Sequence, residues 1–172
     1  KPVSNHAAGK AALESFFTSF AHRHGVPLTV LRPANLYGPG QQLRAGFGLV
    51  RTLLDRAIRI QPVDVWGDGA TVRDYVYIDD AVDACMRLLA EPDISGTFNL
   101  GTGIGTSILE LISLVREITG HKLEISQHPA REVDVRAIVL DATRLSAATG
   151  WSPRVPLREG LERSWAAQRA NA

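Results

Sequence analysis

Leu28-Thr29-Val30-Leu31, running into Arg32-Pro33-Ala34-Asn35-Leu36-Tyr37-Gly38-Pro39-Gly40, is the stretch that decides the fold. The first part is a short apolar run that reads as a buried strand, and the Pro and Gly content of the second marks a loop. Upstream, Leu13, Phe16, Phe17 and Phe20 recur with the spacing of one helix face. Ser4 or Asn5 is placed to cap that helix, and Gly25 followed by Pro27 closes it. A helix leading into a buried strand that empties into a loop is the unit from which α/β proteins are built.

The pattern continues downstream. Phe47 to Ile58 reads as a helix with Leu49, Leu53 and Leu54 on one side. Val63–Trp66 and Arg73–Tyr77 alternate like two strands around Gly67-Asp68-Gly69. Ile78 to Leu89 reads as a helix with Val82, Cys85, Met86 and Leu89 inward, and Thr97–Leu100 as a strand ending in Gly101-Thr102-Gly103. After Thr106 come Ile108, Leu111, Ile112, Val115 and Ile118, the strongest helical period in the chain. Strands near 122–126 and 135–140 and helices near 142–149 and 157–170 complete it, the last with Leu157, Leu161 and Trp165 inward. Strands and helices alternate, so the expected class is α/β.

Composition excludes several functions. The chain has 172 residues, with 19 Lys plus Arg against 18 Asp plus Glu, for a net charge of +1. That balance argues against a dedicated nucleic-acid binder. No apolar run approaches the roughly 20 residues of a membrane-spanning helix, so no membrane partner is expected. Cys85 is the single cysteine, which excludes a disulfide framework and a cysteine-based zinc site. No apolar signal follows Lys1, and a cytoplasmic location is the simplest expectation. There is no initiator Met, and a helix is under way within a few residues of Lys1, so the chain reads as one entered in mid-fold.

Three loops could hold chemistry: those around Asn35, Gly67–Arg73 and Gly101–Thr106. Gly101-x-Gly103-x-Gly105 lacks the G-x-G-x-x-G spacing of a dinucleotide turn and reads as a structural turn. Arg73 and Arg131 could clamp a diphosphate with their planar forks of donors. The competing reading pairs Arg73 with Asp74 or Asp79, and Arg131 with Glu132, as surface ion pairs. His22 and His24 stand two apart on a helix, do not share a face, and read as a solvated helix end. Trp66, Trp151 and Trp165 read as core or lid packing.

Taken in order, these motifs resemble the C-terminal half of the NAD-dependent nucleotide-sugar epimerase/dehydratase family, within the extended short-chain dehydrogenases/reductases. Pro2-x-Ser4-x-His6-x-x-x-Lys10 resembles that family's P-x-S-x-Y-x-x-x-K segment. Arg32–Pro39 is similar to its R-x-x-N-x-Y-G-P loop, and Gly67–Asp80 to its G-D-G-x-x-x-R-D-[FY]-V segment. Phe98–Gly103, Arg131-x-x-Asp134 and Gly150-Trp151-Ser152-Pro153 with Leu157-x-x-Gly160-Leu161 follow the rest of its order.

The resemblance implies the C-terminal part of a Rossmann-type doubly wound sheet with a small α/β substrate-binding region. Residues 1–35 would end the cofactor domain. Residues 36–172 would be mainly the nucleotide-sugar-binding region, with about 78–103 returning to the Rossmann sheet. It implies His6 and Lys10 as catalytic residues, and Lys10, Pro33 and Ala34 against NAD. Asn35, Arg73, Tyr75, Arg131 and Asp134 would hold a nucleotide-diphosphate sugar. The implied chemistry is UDP-glucose 4-epimerase-like: hydride removal from the sugar C4 to NAD+, rotation of the ketose, and hydride return to the other face. A homodimer is implied, built on the helix that carries the catalytic segment.

Two departures qualify this. His6 stands where the family has its catalytic tyrosine; an imidazole can shuttle a proton but is shorter than a phenol. The family's glycine-rich NAD turn lies N-terminal to this segment, so the chain alone is expected to be inactive and to bind NAD weakly. The alternatives are a 4,6-dehydratase of the same family and a non-catalytic nucleotide-sugar-binding module.

Overall fold

The computed structural model describes residues 4–44, 46–131 and 135–170. The elements are α1 (Asn5–His24), β1 (Thr29–Pro33), β2 (Asn35–Tyr37), α2 (Leu49–Arg59), β3 (Val63–Trp66), β4 (Val72–Tyr77) and α3 (Ile78–Ala90), followed by β5 (Gly96–Leu100), β6 (Gly105–Ser107), α4 (Ile108–Thr119), β7 (Ile125–His128), β8 (Ala137–Ile138), α5 (Thr143–Thr149) and α6 (Leu157–Ala170). The class is α/β, as the alternating pattern predicts, with parallel strand pairs of the Rossmann-like kind that the resemblance implies.

Helix ends follow local chemistry. Ser4 caps α1, its hydroxyl accepting from the Ala7 N–H at 3.2 Å, and Gly25 closes the helix at φ 62°. Ser107 and Glu110 form a reciprocal capping box at the start of α4. Strand β1 pairs in parallel with β5, Thr29 opposite Gly96 and Pro33 opposite Leu100. Strand β3 pairs in parallel with β7. Strand β4 lies between β2, parallel to it, and β6, antiparallel, with β8 also alongside in parallel.

Strand β4 is the spine of the molecule because it is buried on both faces. Tyr75 and Tyr77 enter one core with Tyr37, Leu53, Leu111 and Leu161, while Val76 enters a second with Phe98, Leu100, Leu145 and Trp151. The alternation of a strand thus feeds two cores from three consecutive residues. Asp80, in the first turn of α3 directly after β4, rivets the loop before α6 to this region. The Trp151 indole N–H donates to the Asp80 carbonyl at 2.9 Å, and the Asp80 carboxylate accepts from the Arg154 and Val155 N–H groups at 3.1 and 3.0 Å.

Two sequence expectations are corrected, the inward face of α3 and the loop reading of two short segments. Val82, Cys85, Met86 and Leu89 do not face inward: Leu89 is 75% exposed, and Ala81 and Ala84 are buried instead. Small residues let α3 lie close against the Trp151 core, so its larger side chains fall on the opposite face. The Leu13, Phe16, Phe17 and Phe20 stripe of α1, whose partner the spacing left open, is exposed, and among the described residues of the helix only Ala21 is buried. Asn35–Tyr37 and Gly105–Ser107 are short strands rather than loop, because each has β4 as a partner. Trp151 is core and Trp165 packs on the core, whereas Trp66 is exposed.

Candidate functional site

Strands β2, β3 and β4 and the start of α2 line an open cleft of about 1000 Å³. Parallel pairing sets Asn35 directly opposite Tyr75, and both line it. Alternation on β4 puts Arg73 on the same side as Tyr75, and both stand among its walls. Alternation on β3 sends Val63 and Val65 into the core and leaves Asp64 and Trp66 toward the cleft. Ala34 and Arg131 complete the set of predicted residues that the fold gathers here.

The charge is one-sided. Arg44, Arg56, Arg59, Arg73 and Arg131 line the cleft against Asp55 and Asp64, and Arg59 is paired with Asp55 at 2.9 Å. A concave wall with excess arginine raises the local concentration of anions. Helix α2 begins at the same rim with no side-chain cap on its N-terminus, which leaves helix N–H groups for an anionic ligand.

Tyr75 is 6% exposed, and its buried hydroxyl has no hydrogen-bond partner among the described residues. Burial pushes this phenol up to about 12, against the pull of the nearby Arg73 guanidinium. A buried hydroxyl left unpaired costs stability, so one at the wall of a cleft points to a ligand that pairs it.

Arg73 does not form the ion pair with Asp74 that the sequence left open. Its Nη1 donates to the carbonyls of Val72 at 2.8 Å and Val135 at 2.7 Å, which holds the guanidinium across the site. Asp74 points to the other side of β4. There its buried carboxylate accepts from the Thr102 N–H and hydroxyl, the Gly103 N–H and the Leu140 N–H. The Gly101–Gly105 turn therefore already holds an anion, the protein's own, and the fold uses it as a structural turn.

Arg131 lies with its guanidinium carbon 4.5 Å from the Trp66 ring centre. His128 also meets this ring, stacked on Trp66 at 5.1 Å and hydrogen-bonded to Asp64 at 2.7 Å. Sequence reading missed Trp66 as a wall of the site; the tryptophan sits at the end of β3 on its polar side, which was the available signal. Asp134 and Glu132 lie outside the described residues. His22 and His24 are exposed at the end of α1.

His6 and Lys10 lie one turn apart on α1, both exposed and outside the lining of this cleft. Arg32 on β1 grips Glu14 of α1 through Nε at 3.0 Å and through Nη2, tying that helix to the strand that delivers Pro33 and Ala34. An exposed imidazole and an exposed ammonium are groups that can hydrogen-bond the hydroxyls of a ribose. The Gly101–Gly105 turn is closed to the phosphates of a dinucleotide, since the Asp74 carboxylate fills it.

Comparison with known proteins agrees with this geometry. A UDP-glucose 4-epimerase of Mycolicibacterium smegmatis is 35% identical over 163 residues, 95% of this chain and 52% of that protein. The structure of a Thermotoga maritima UDP-glucose 4-epimerase with UDP-glucose matches at TM-score 0.90 and 39% identity, covering 96% of this chain and 53% of the other. That of a Thermus thermophilus UDP-glucose 4-epimerase in complex with NAD matches at TM-score 0.92 and 33% identity, covering 100% of this chain and 56% of the other. The chain thus spans about half the length of these relatives. The family model described as NAD dependent epimerase/dehydratase matches residues 1–101, from the helix of His6 and Lys10 through β4 to the end of β5. With more than half of its length under that model, the chain belongs to the NAD-dependent epimerase/dehydratase family.

Proposed function

We propose that this chain is the nucleotide-sugar-binding half of an NAD-dependent sugar epimerase, UDP-glucose/UDP-galactose 4-epimerase-like, and is inactive by itself. The observation that carries the reading is the unpaired, buried Tyr75 hydroxyl set beside Asn35 and Arg73 in an arginine-rich cleft. A nucleotide-diphosphate sugar fits that inventory: guanidinium groups for the phosphates, and a phenol and an amide for neutral oxygens. Arg73 and Arg131 would bind the two phosphates, and Asp134 the nucleotide ribose.

NAD, when bound, supplies hydride acceptance and return at the sugar C4. Pro33, Ala34 and Lys10 would meet its nicotinamide ribose. His6 would take and return the sugar hydroxyl proton at an imidazole nitrogen, with Lys10 one turn away on the same helix. The exposed Phe16, Phe17 and Phe20 stripe supports a homodimer through α1, in a cytoplasmic enzyme.

A second reading, a non-catalytic nucleotide-sugar-binding module, is favoured by His6 itself, which stands in place of the family's phenol. Thermal melts with millimolar UDP, dTDP and GDP, and NAD as control, test the binding proposal. A ligand at about 100 times its dissociation constant adds roughly 2.7 kcal/mol. A melt raised by one nucleoside diphosphate supports the proposal, and a melt indifferent to all of them overturns it. His6→Tyr in the full-length enzyme separates the two readings, since a large gain in turnover marks the native site as non-catalytic.

A further inference from the structure

Asp64, His128, Trp66 and Arg131 form a chain of contacts that the site description leaves without a purpose. Trp66 and His128 are register partners on the parallel strands β3 and β7, and Asp64 lies on the same face of β3, two residues before Trp66. The His128 ring is stacked on Trp66 with centres 5.1 Å apart and planes 23° from parallel. Its Nε2 is 2.7 Å from Asp64 Oδ1 and 3.4 Å from the Ser126 hydroxyl. Trp66 in turn carries the Arg131 guanidinium at 4.5 Å.

None of this serves the hydrophobic core, because Asp64, Trp66 and His128 are all at least partly exposed. Two stacked aromatic rings, one of them meeting a charged fork in the wall of a cleft, are costly to order unless the order is used. An exposed tryptophan has open rotamers; a ring stacked beside it, itself tethered by a carboxylate, closes them.

We propose that His128 is a positioning residue for ligand binding: tethered by Asp64, it locks the Trp66 ring, and the locked ring holds Arg131 where it meets a diphosphate. The inference rests on the nucleotide-sugar reading of the cleft and deepens it. His128 touches no ligand in this scheme. It acts through Trp66 on Arg131, so its effect vanishes when Arg131 is absent.

The test is UDP affinity by isothermal titration calorimetry on the full chain, alone and in a double-mutant cycle. His128→Ala weakens UDP roughly five- to tenfold, the scale of an ordered cation–aromatic contact. In an Arg131→Ala background the same change costs nothing further, since the group it positions is gone. His128→Phe, which keeps a ring against Trp66, recovers affinity to within about threefold. Thermal melts of each variant without ligand are read alongside. Losses that add in the double variant, or a His128→Ala chain that melts lower yet binds UDP as the parent does, overturn the positioning role and leave the cleft assignment standing. A parent chain that binds no nucleoside diphosphate overturns both.

Discussion

Asp74 and Thr102 lie 28 residues apart, yet the Thr102 hydroxyl donates to the Asp74 carboxylate at 2.6 Å and its backbone N–H at 3.0 Å. Gly103 and Leu140 donate to the same carboxylate, both at 3.2 Å. Gly101 is the residue that permits this, since a Cβ there would stand 2.6 Å from Asp74 Oδ2 and 2.7 Å from the Leu140 Cβ. Asp74→Ala leaves these partly buried donors without their acceptor, and the expected cost is about 2 kcal/mol. Urea denaturation of the variant measures it, with Asp74→Asn falling between.

Gly160 is demanded by a close approach. A Cβ at that position of α6 would collide with the Tyr37 hydroxyl and stand 2.8 Å from its Cζ and 2.9 Å from Tyr77 Cδ2. The Tyr37 hydroxyl donates to the Leu157 carbonyl at 3.3 Å, so the ring has little room to retreat. Gly160→Ala in an exposed helix would be stabilising on propensity alone. Here it is expected to lower stability by about 1–3 kcal/mol through overpacking, read as a lower denaturation midpoint.

Tyr75→Phe separates folding from binding. The hydroxyl has no partner among the described residues, so its removal leaves stability within about 0.5 kcal/mol of the parent or raises it. UDP affinity falls by roughly three- to tenfold, the value of one hydrogen bond. The same variant reports on pH. Burial raises the Tyr75 phenol from 10 to about 12, so the folded state keeps a proton that the unfolded chain loses. Its contribution is fully present below pH 10 and is lost as pH rises toward about 12. Tyr37, raised by burial as well, acts in the same direction. Alkaline denaturation curves are therefore expected to be shallower for Tyr75→Phe than for the parent.

Ile60 ends α2 in the left-handed region, at φ 52°, with a β-branched side chain that is 78% exposed. Nothing is buried in exchange for the strain. Ile60→Gly is expected to stabilise the chain by about 1 kcal/mol, as a rise in the thermal midpoint.

The α1 stripe gives a test of assembly. Phe16 and Phe17 are 63% and 50% exposed and pack edge to face with each other. Phe16→Asp with Phe17→Asp is expected to convert a dimer into a monomer in sedimentation velocity while leaving the far-ultraviolet spectrum unchanged. A parent chain that sediments as a monomer would count against the proposed homodimer.

Legibility in the sequence tracked the range of the interactions. The helix of Leu111, Ile112 and Val115 is written in its period, and the caps at Ser4 and Gly25 in their local chemistry. Strands of three residues were not legible, because Asn35–Tyr37 and Gly105–Ser107 owe their strand character to β4 across the fold. The inward face of α3 was misread for a related reason. Periodicity shows that a helix has an apolar face, but which apolar side meets the core depends on what packs there, and Trp151 accepts the alanines.

The site divides in the same way. Asn35 and Tyr75 were named from motif order, and Arg73 and Arg131 from the chemistry of paired guanidinium groups as well, because motif order preserves residue types at fixed spacing along the chain. Whether those residues converge is a matter of pairing between strands distant in sequence, and only the tertiary structure decides it. The fold gathers these four around one cleft and leaves His6 and Lys10 outside its lining. It turns Asp74 away from Arg73, fills the glycine turn with that carboxylate, and sets Trp66, with His128 stacked on it, in the cleft wall. The α/β class was determined by local periodicity, which a linear sequence carries in full. The direction in which each aspartate and aromatic ring points was decided by strand register, which exists only once the chain has folded.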